Sequence, residues 1–314
     1  GSSRLRDNIC GLYENQKRDN IVITHGAIGA NALVHETMIS PGDHVISICP
    51  TYQQHYSIPE SFGAKLDILW LRPENDFLPD LEELESMLRP NTKLVVLNNP
   101  NNPTGALLMG PNLEEFVAVV RSSGAYILCD EVYRGTNQVG NGFAPAMADI
   151  YEKGISVSSM SKVFSLAGIR LGWIAAPREV LEAVSIRRDY NTISVGMIDD
   201  YFASLALENK EKIIGRSQKI TRGNLKILDD WVSKEHSISY KKPQAGTTAL
   251  LKYDFDIPSR EFCIQLLRET GVMFTPGSVM EMEGWLRIGY ANSPEVLSQG
   301  LDLVSNFLSR MESR

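Results

Sequence analysis

Residues 156–173 read SVSSMSKVFSLAGIRLGW, and the reading of one of them, Lys162, governs the rest of the chain. The lysine stands among small and apolar residues, with serines at Ser158, Ser159, Ser161 and Ser165 and an arginine at Arg170. Most lysines are solvated surface charges. One kept in an apolar pocket has its ammonium form disfavoured, and the free amine can condense with an aldehyde. Spacing alone leaves both readings open, so the choice falls to the residues on either side.

Upstream, short β-branched runs alternate with helix-length segments. The runs are IVIT at 21–24, HVISI at 44–48, KLDILWL at 65–71, KLVVLNN at 93–99, AYILCD at 125–130 and GISVSS at 154–159. Helices are expected near 28–39, 52–62, 80–88, 111–123 and 143–152. Continuous apolar strands alternating with helices predict an α/β fold whose mostly parallel central sheet is sandwiched between helices. Beyond Trp173 a helical stretch from about Pro177 to Ser233, with a soft break near Asn191 to Gly196, leads to a second strand-rich region. There SISYKK (237–242), TTALLKY (247–253), VMFTP (272–276) and WLRIGY (285–290), with helices near 259–269 and from Pro294, predict a smaller C-terminal α+β domain. The expected division is 1–12 as a remnant of an N-terminal segment, 13–207 as the large domain and 208–314 as the small one.

Composition narrows the function classes. A chain of 314 residues, 43% hydrophobic and 22% charged, is that of an ordinary globular protein of more than one domain. A formal net charge of −7 gives no electrostatic support to a nucleic-acid partner. The four cysteines, Cys10, Cys49, Cys129 and Cys263, lie far apart without CxxC or His-Cys spacing, so no metal site is expected and free thiols in a reducing compartment, the cytoplasm, are. No apolar run is long enough to suggest a membrane span.

Four clusters fall where strands end, the place where open α/β sheets bind ligands. THGAIGAN (Thr24 to Asn31) lets backbone approach a phosphate at a helix start, though a plain tight turn also wants glycine, and the stretch matches neither the GKS/GKT nor the GxGxxG pattern. NNPNNPTG (Asn98 to Gly105) restricts the backbone before each proline and holds asparagine amides in a fixed loop. CDEVYRG (Cys129 to Gly135) puts the carboxylate of Asp130 at the end of an apolar strand, with Tyr133 following. The fourth is the Lys162 stretch. An aldehyde cofactor with a phosphate and a pyridine nitrogen needs a lysine, a phosphate nest, a carboxylate and a donor near the ring hydroxyl, and these clusters supply all four.

In this order and spacing, NNPNNPTG, DEVY and SxSKxxxxxGxRxG resemble the pyridoxal-5′-phosphate (PLP)-dependent aminotransferases of fold type I, class I/II, over nearly the whole chain. The resemblance implies Lys162 as the Schiff-base lysine, Asp130 as the partner of the pyridine nitrogen, and Asn102 and Tyr133 as donors to the ring 3′-oxygen. It implies Ser159 and Arg170 as phosphate ligands, Ala27 and Ile28 as phosphate-loop positions, and Tyr52 as the ring stacked on the cofactor. In the small domain it implies Arg287 as the grip on the substrate α-carboxylate, with Asn102 also at the substrate. Ile28 departs from the family, where a hydroxyl residue is common. Family members also carry a longer N-terminal segment.

The implied reaction moves an amino group between an L-amino acid and a 2-oxo acid in a homodimer, with no nucleic acid, membrane or metal involved. A PLP-dependent lyase, such as a C–S lyase or an aminocyclopropane-carboxylate-synthase-like enzyme, is the alternative, since the pocket selects which bond breaks. A ligand-sensing domain of a transcription regulator is a third reading, opposed by the acidic chain. For the substrate side chain, Tyr133, Tyr52, His55 and Tyr190 are the pocket candidates.

Overall fold

The computed structural model describes residues 1–313. A seven-stranded sheet is built from β1 (Ile21–His25), β2 (His44–Cys49), β3 (Lys65–Trp70), β4 (Thr92–Asn98), β5 (Tyr126–Asp130), β6 (Gly154–Ser159) and β7 (Leu171–Ala175), in the order β1-β7-β6-β5-β4-β2-β3. Strands β2 to β6 pair in parallel. Strand β7 runs antiparallel to both β6 and β1. The smaller sheet, β8 (Ile238–Tyr240), β9 (Thr248–Tyr253), β10 (Thr275–Pro276) and β11 (Trp285–Gly289), is antiparallel in the order β10-β11-β9-β8. The expected architecture is borne out.

Helices α1 (Ser3–Cys10), α2 (Gly26–Met38), α3 (Gln54–Ser61), α4 (Leu81–Met87), α5 (Pro111–Ser123), α6 (Met147–Ile150), α7 (Arg178–Asn191) and α8 (Met197–Glu208) accompany the large sheet. The long α9 (Lys210–Val232) leads to α10 (Ser259–Thr270) and α11 (Pro294–Glu312). Side chains alternate across a strand, so each strand feeds two cores. Val45, Leu94, Val96 and Leu128 pack with Ala30, Leu33 and Val34 of α2 and Val180, Leu181 and Val184 of α7. Their sequence neighbours Ile46, Val95, Leu97 and Ile127 pack on the other face with Leu84 of α4 and Leu113, Phe116 and Val120 of α5. Such two-sided coverage explains why these strands read as unbroken apolar runs.

Three local expectations need correction. The helix foreseen over 143–152 is only α6, because Pro145 and the left-handed Gly142 (φ 93°) keep the preceding residues irregular. VMFTP contributes only Thr275–Pro276 to the small sheet. The stretch 177–233 is three helices, with a second break at Asn209. A separate core of Leu225, Leu228 and Trp231 from α9, Phe262 and Leu266 from α10, and Leu301, Val304 and Phe307 from α11 backs the small sheet.

Candidate active site

At the carboxyl ends of β4, β5 and β6 lies a cavity of about 530 Å³, closed on one side by the small sheet. The ten residues to which the resemblance gives a role all line it: Ala27, Ile28, Tyr52, Asn102, Asp130, Tyr133, Ser159, Lys162, Arg170 and Arg287. They come from separate loops, and the parallel sheet gathers them because its strand ends share one edge.

One end of the cavity is an anion seat. Helix α2 begins at Gly26 with no side chain capping its first turn, so N–H groups there stay available for a ligand. Gly26 is left-handed (φ 64°), and a Cβ on it would lie 2.8 Å from Arg170 Nη2. A Cβ on Gly172 of β7 would lie 2.7 Å from the Ala27 nitrogen, so the turn and its arginine are seated as closely as backbone allows. Arg170 donates to the Ala167 carbonyl at 2.8 Å and to Ser161 Oγ at 3.4 Å, and among the described residues no carboxylate pairs with it. The buried Ser159 Oγ accepts from the Ser161 N–H at 3.3 Å. An uncapped helix start, an uncommitted guanidinium and two serines are the donor set a phosphate dianion requires.

At the opposite end Asp130, only 6% exposed, holds its carboxylate at the end of β5. Asn31 Nδ2 donates to Oδ2 at 2.8 Å, and the Val132 N–H donates to Oδ1 at 3.1 Å. His55 Nε2 is 3.4 Å from Oδ2, without the alignment of a hydrogen bond. Behind it His35 is wholly buried, its ring 6.2 Å from that of His55, and burial together with His55 pushes its pKa down to about 3. Between the two ends, Lys162 Nζ lies 5.6 Å above the ring of the buried Tyr133.

The NNPNNPTG loop is as rigid as its prolines suggested. Asn98 donates to the Asp130 carbonyl and accepts from the Asn102 N–H at 2.7 Å, tying the loop to β5. Asn101 accepts from Thr104, and Asn99 both donates to and accepts from Leu108 backbone. Asn102 Oδ1 is left facing the cavity and accepts from Arg287 Nη1 at 3.3 Å. Arg287 Nη2 in turn donates to Thr275 Oγ1 at 3.2 Å, its partner position across β10 and β11.

This geometry matches one protein family. The sequence pattern described as Aminotransferase class I and II fits residues 1–302. The chain belongs to that family. Its members are PLP-dependent enzymes, and the seat, carboxylate and amine described above fit that cofactor. A PLP-dependent aminotransferase from Streptococcus suis 89-1591 superposes with a TM-score of 0.95 at 44% identity, over 99% of this chain and 82% of that one. Capreomycidine synthase of Streptomyces vinaceus is 29% identical over 98% of this chain and 79% of its own length. Aspartate aminotransferase of Thermotoga maritima is 29% identical over 93% and 76%.

Within this aminotransferase fold some expectations move. Lys162, for which an apolar pocket was one of two readings, is exposed in the single chain, as is Arg170. Tyr190 is 85% exposed on α7 and does not line the cavity, and His55 sits behind Asp130 rather than in it. Sequence reasoning missed Asn31, Gln54, Thr247, Thr248 and Asn292, which do line it. Asn31 had a readable signal, an amide among the mostly apolar residues that α2 buries, of which His35 is the other polar one.

Proposed function

We propose that this chain moves an amino group between an L-α-amino acid and a 2-oxo acid, with PLP held in the cavity described above. The observation that carries the reading is the convergence of Lys162, Asp130 and the Arg170 seat on one cavity within a family of PLP-dependent aminotransferases. Bound there, PLP supplies an electron sink for the bond broken at the substrate Cα.

The remaining chemistry belongs to the protein. The uncapped start of α2, with Ala27 and Ile28, holds the phosphate together with Ser159 and Arg170 through charge-assisted hydrogen bonds. Asp130 would keep a proton on the pyridine nitrogen. Asn102 and Tyr133 would donate to the ring oxygen, and Tyr52, at the rim, would offer its ring to the cofactor's face. The Lys162 amine would anchor the aldehyde covalently and, once released, would move a proton from the substrate Cα to the former aldehyde carbon as general base and then acid, with the reverse transfer when the second oxo acid is aminated. Arg287, placed by Asn102 and Thr275, takes the α-carboxylate through two parallel N–H bonds. The smaller C-terminal unit, from about residue 208, thus brings the substrate grip to the large unit's cofactor seat.

Two further features complete the reading. The working form is a homodimer in the cytoplasm. Exposed Ile193, Met197, Ile198, Tyr201 and Phe202 form an apolar strip around the start of α8, which supports self-association. The four unpaired cysteines support a reducing compartment. Sedimentation of the purified protein at a dimer's mass checks the first.

One observation favours a second reading, the 29% identity to a relative named as a synthase rather than as an aminotransferase. The deciding experiment loads the protein with PLP and screens neutral, acidic, basic and aromatic amino acids with a 2-oxo acid acceptor. Lys162→Ala serves as the control. Stoichiometric formation of a new amino acid and a new oxo acid supports transfer. Ammonia with a single oxo acid, or a cyclised product, would replace it with lyase or cyclase chemistry, and failure to take up PLP would end both readings.

A further inference from the structure

The least expected group at the site is Asn31. Helix α2 places Ala30, Leu33 and Val34 in the core against the sheet, and yet Asn31 is 1% exposed on the same helix. Burying an amide costs free energy unless it is hydrogen-bonded, so such a residue requires a partner that answers for it. Its Nδ2 has one, Asp130 Oδ2 at 2.8 Å. Its Oδ1 is buried and accepts no hydrogen bond, which leaves the Asp130 contact as the compensation for placing an asparagine there.

The alternatives around Asp130 are weaker. His55 approaches the same oxygen only at 3.4 Å and without hydrogen-bond alignment. The Val132 N–H serves the other oxygen, Oδ1. Gln54, the nearest neighbour of His55 in the chain, spends its amide on the Ile28 carbonyl at 2.7 Å. Asn31 is therefore the one side chain among the described residues with a well-formed hydrogen bond to the Asp130 carboxylate.

We propose that Asn31 is a positioning residue for the cofactor: its amide fixes the rotamer of Asp130 and stabilises that carboxylate as an anion aimed at the pyridine nitrogen. This rests on the PLP reading of the cavity given above. An amide does not titrate, so the donor stays in place across the working pH range, which an imidazole at the same distance would not guarantee. The fixed carboxylate in turn holds the ring proton, and a ring that keeps its proton draws charge from the reacting centre more strongly.

The test uses two substitutions of similar size and different polarity. Asn31→Leu removes the donor and keeps the bulk. Asn31→Asp keeps the shape and replaces the donor with a second carboxylate beside Asp130. The groups that face this pair are His55 from α3, His35 from α2, Cys129 on β5, and Lys162, Tyr133 and Arg287 around the cavity, while Glu131, next in the chain, turns its carboxylate to Met147 and Ser156. These are common to wild type and variants, so each reading is taken as a ratio to wild type at the same pH.

In PLP titrations of the cofactor-free protein, Asn31→Leu binds about ten-fold more weakly than wild type, the loss of one hydrogen bond to a charged group. The pH midpoint of its bound cofactor's absorbance change moves upward. Asn31→Asp binds more weakly still at high pH, where two adjacent carboxylates repel, and recovers towards wild type as pH falls, because one protonated oxygen then donates as the amide did. A purely structural asparagine would lower the melting temperature of Asn31→Leu and leave the midpoint in place. That result, or a flat affinity ratio for Asn31→Asp across the pH range, overturns the proposal. If Asn31→Leu does not fold, the Asn31→Asp titration decides alone. Failure of wild type itself to bind PLP would instead strike the underlying reading.

Discussion

Asp130 and Glu131 are consecutive carboxylates at the end of one strand, and they have been put to opposite uses. Asp130 faces the cavity, where Asn31 and the Val132 N–H hold it as an anion's partner would be held. Glu131 points to the other side of the sheet end. There it is 2% exposed and accepts from the Met147 N–H at 2.7 Å and from Ser156 Oγ at 2.8 Å. Burial, opposed by nearby Arg134, pushes its pKa up to about 7. The alternation of side chains along a strand gives one neighbour to the ligand and the next to the core. What separates a reactive carboxylate from a structural one here is which face it lands on, and the sequence DE alone does not show this.

The contrast can be broken at several points. The largest effect is expected on the cavity side at its amine. Lys162→Ala lowers amino transfer on the order of 10⁴-fold by removing the proton carrier, with a melting temperature near that of wild type, because Lys162 is exposed. Oxo-acid release and thermal unfolding measured together would separate loss of chemistry from loss of fold.

On the core side the expected signature is pH-dependent stability. The folded pKa of Glu131 is raised from 4.5 to about 7, so the fold accommodates the protonated form. Its contribution is fully present below about 4.5 and is lost as pH rises towards 7. The shift corresponds to about 3 kcal/mol. Glu131→Gln keeps an acceptor for Met147 and Ser156 without the charge, so denaturant unfolding should show the variant gaining on wild type across that window, with PLP affinity unchanged. A parallel pH profile for both proteins would mean that Glu131 is not buried as a neutral acid.

Asp130→Asn should give the reverse pattern. It should weaken PLP binding about thirty-fold, about 2 kcal/mol for one charge-assisted hydrogen bond, with little change in the pH dependence of unfolding. The smallest effect is expected at Arg287→Lys, which keeps the charge but loses the planar fork. The KM for the amino acid should rise about ten-fold while PLP affinity holds. If Arg287→Lys weakened PLP binding as Asp130→Asn does, the assignment of cofactor and substrate to separate residues of the cavity would fall.

Much of this site was legible because its parts are local in sequence. NNPNNPTG, DEVY and the lysine stretch each occupy a loop whose backbone is fixed by its own prolines, glycines or strand ends. Recognising them required no knowledge of packing. The strands of the large sheet were legible for a related reason, since two-sided burial writes itself as an apolar run. What escaped depended on contacts distant in the chain. Asn31 meets Asp130 across 99 residues, and nothing in either stretch announces the other. Strand β7 was missed because its first three residues, Leu171–Trp173, close a functional motif and its pairing with β1 and β6 is not written there. Tyr190 was placed in the pocket by residue type alone, and the direction of α7 carries it to the surface.

Helix α9 has a consequence for what such a cavity can accept. Ser217 Oγ donates to the carbonyl of Val163, the residue after Lys162, and Asn224 Nδ2 donates to the carbonyls of Tyr290 and Asn292, just beyond Arg287. Seven residues, two helical turns or about 10 Å, separate these anchors. The helix therefore works as a gauge block. It sets the spacing between the amine that meets one end of an amino acid and the guanidinium that meets its carboxylate. A residue inserted between Ser217 and Asn224 would turn one anchor by about 100° relative to the other. Changes in substrate preference must accordingly arise at the side-chain end of the cavity, where no such ruler is fixed.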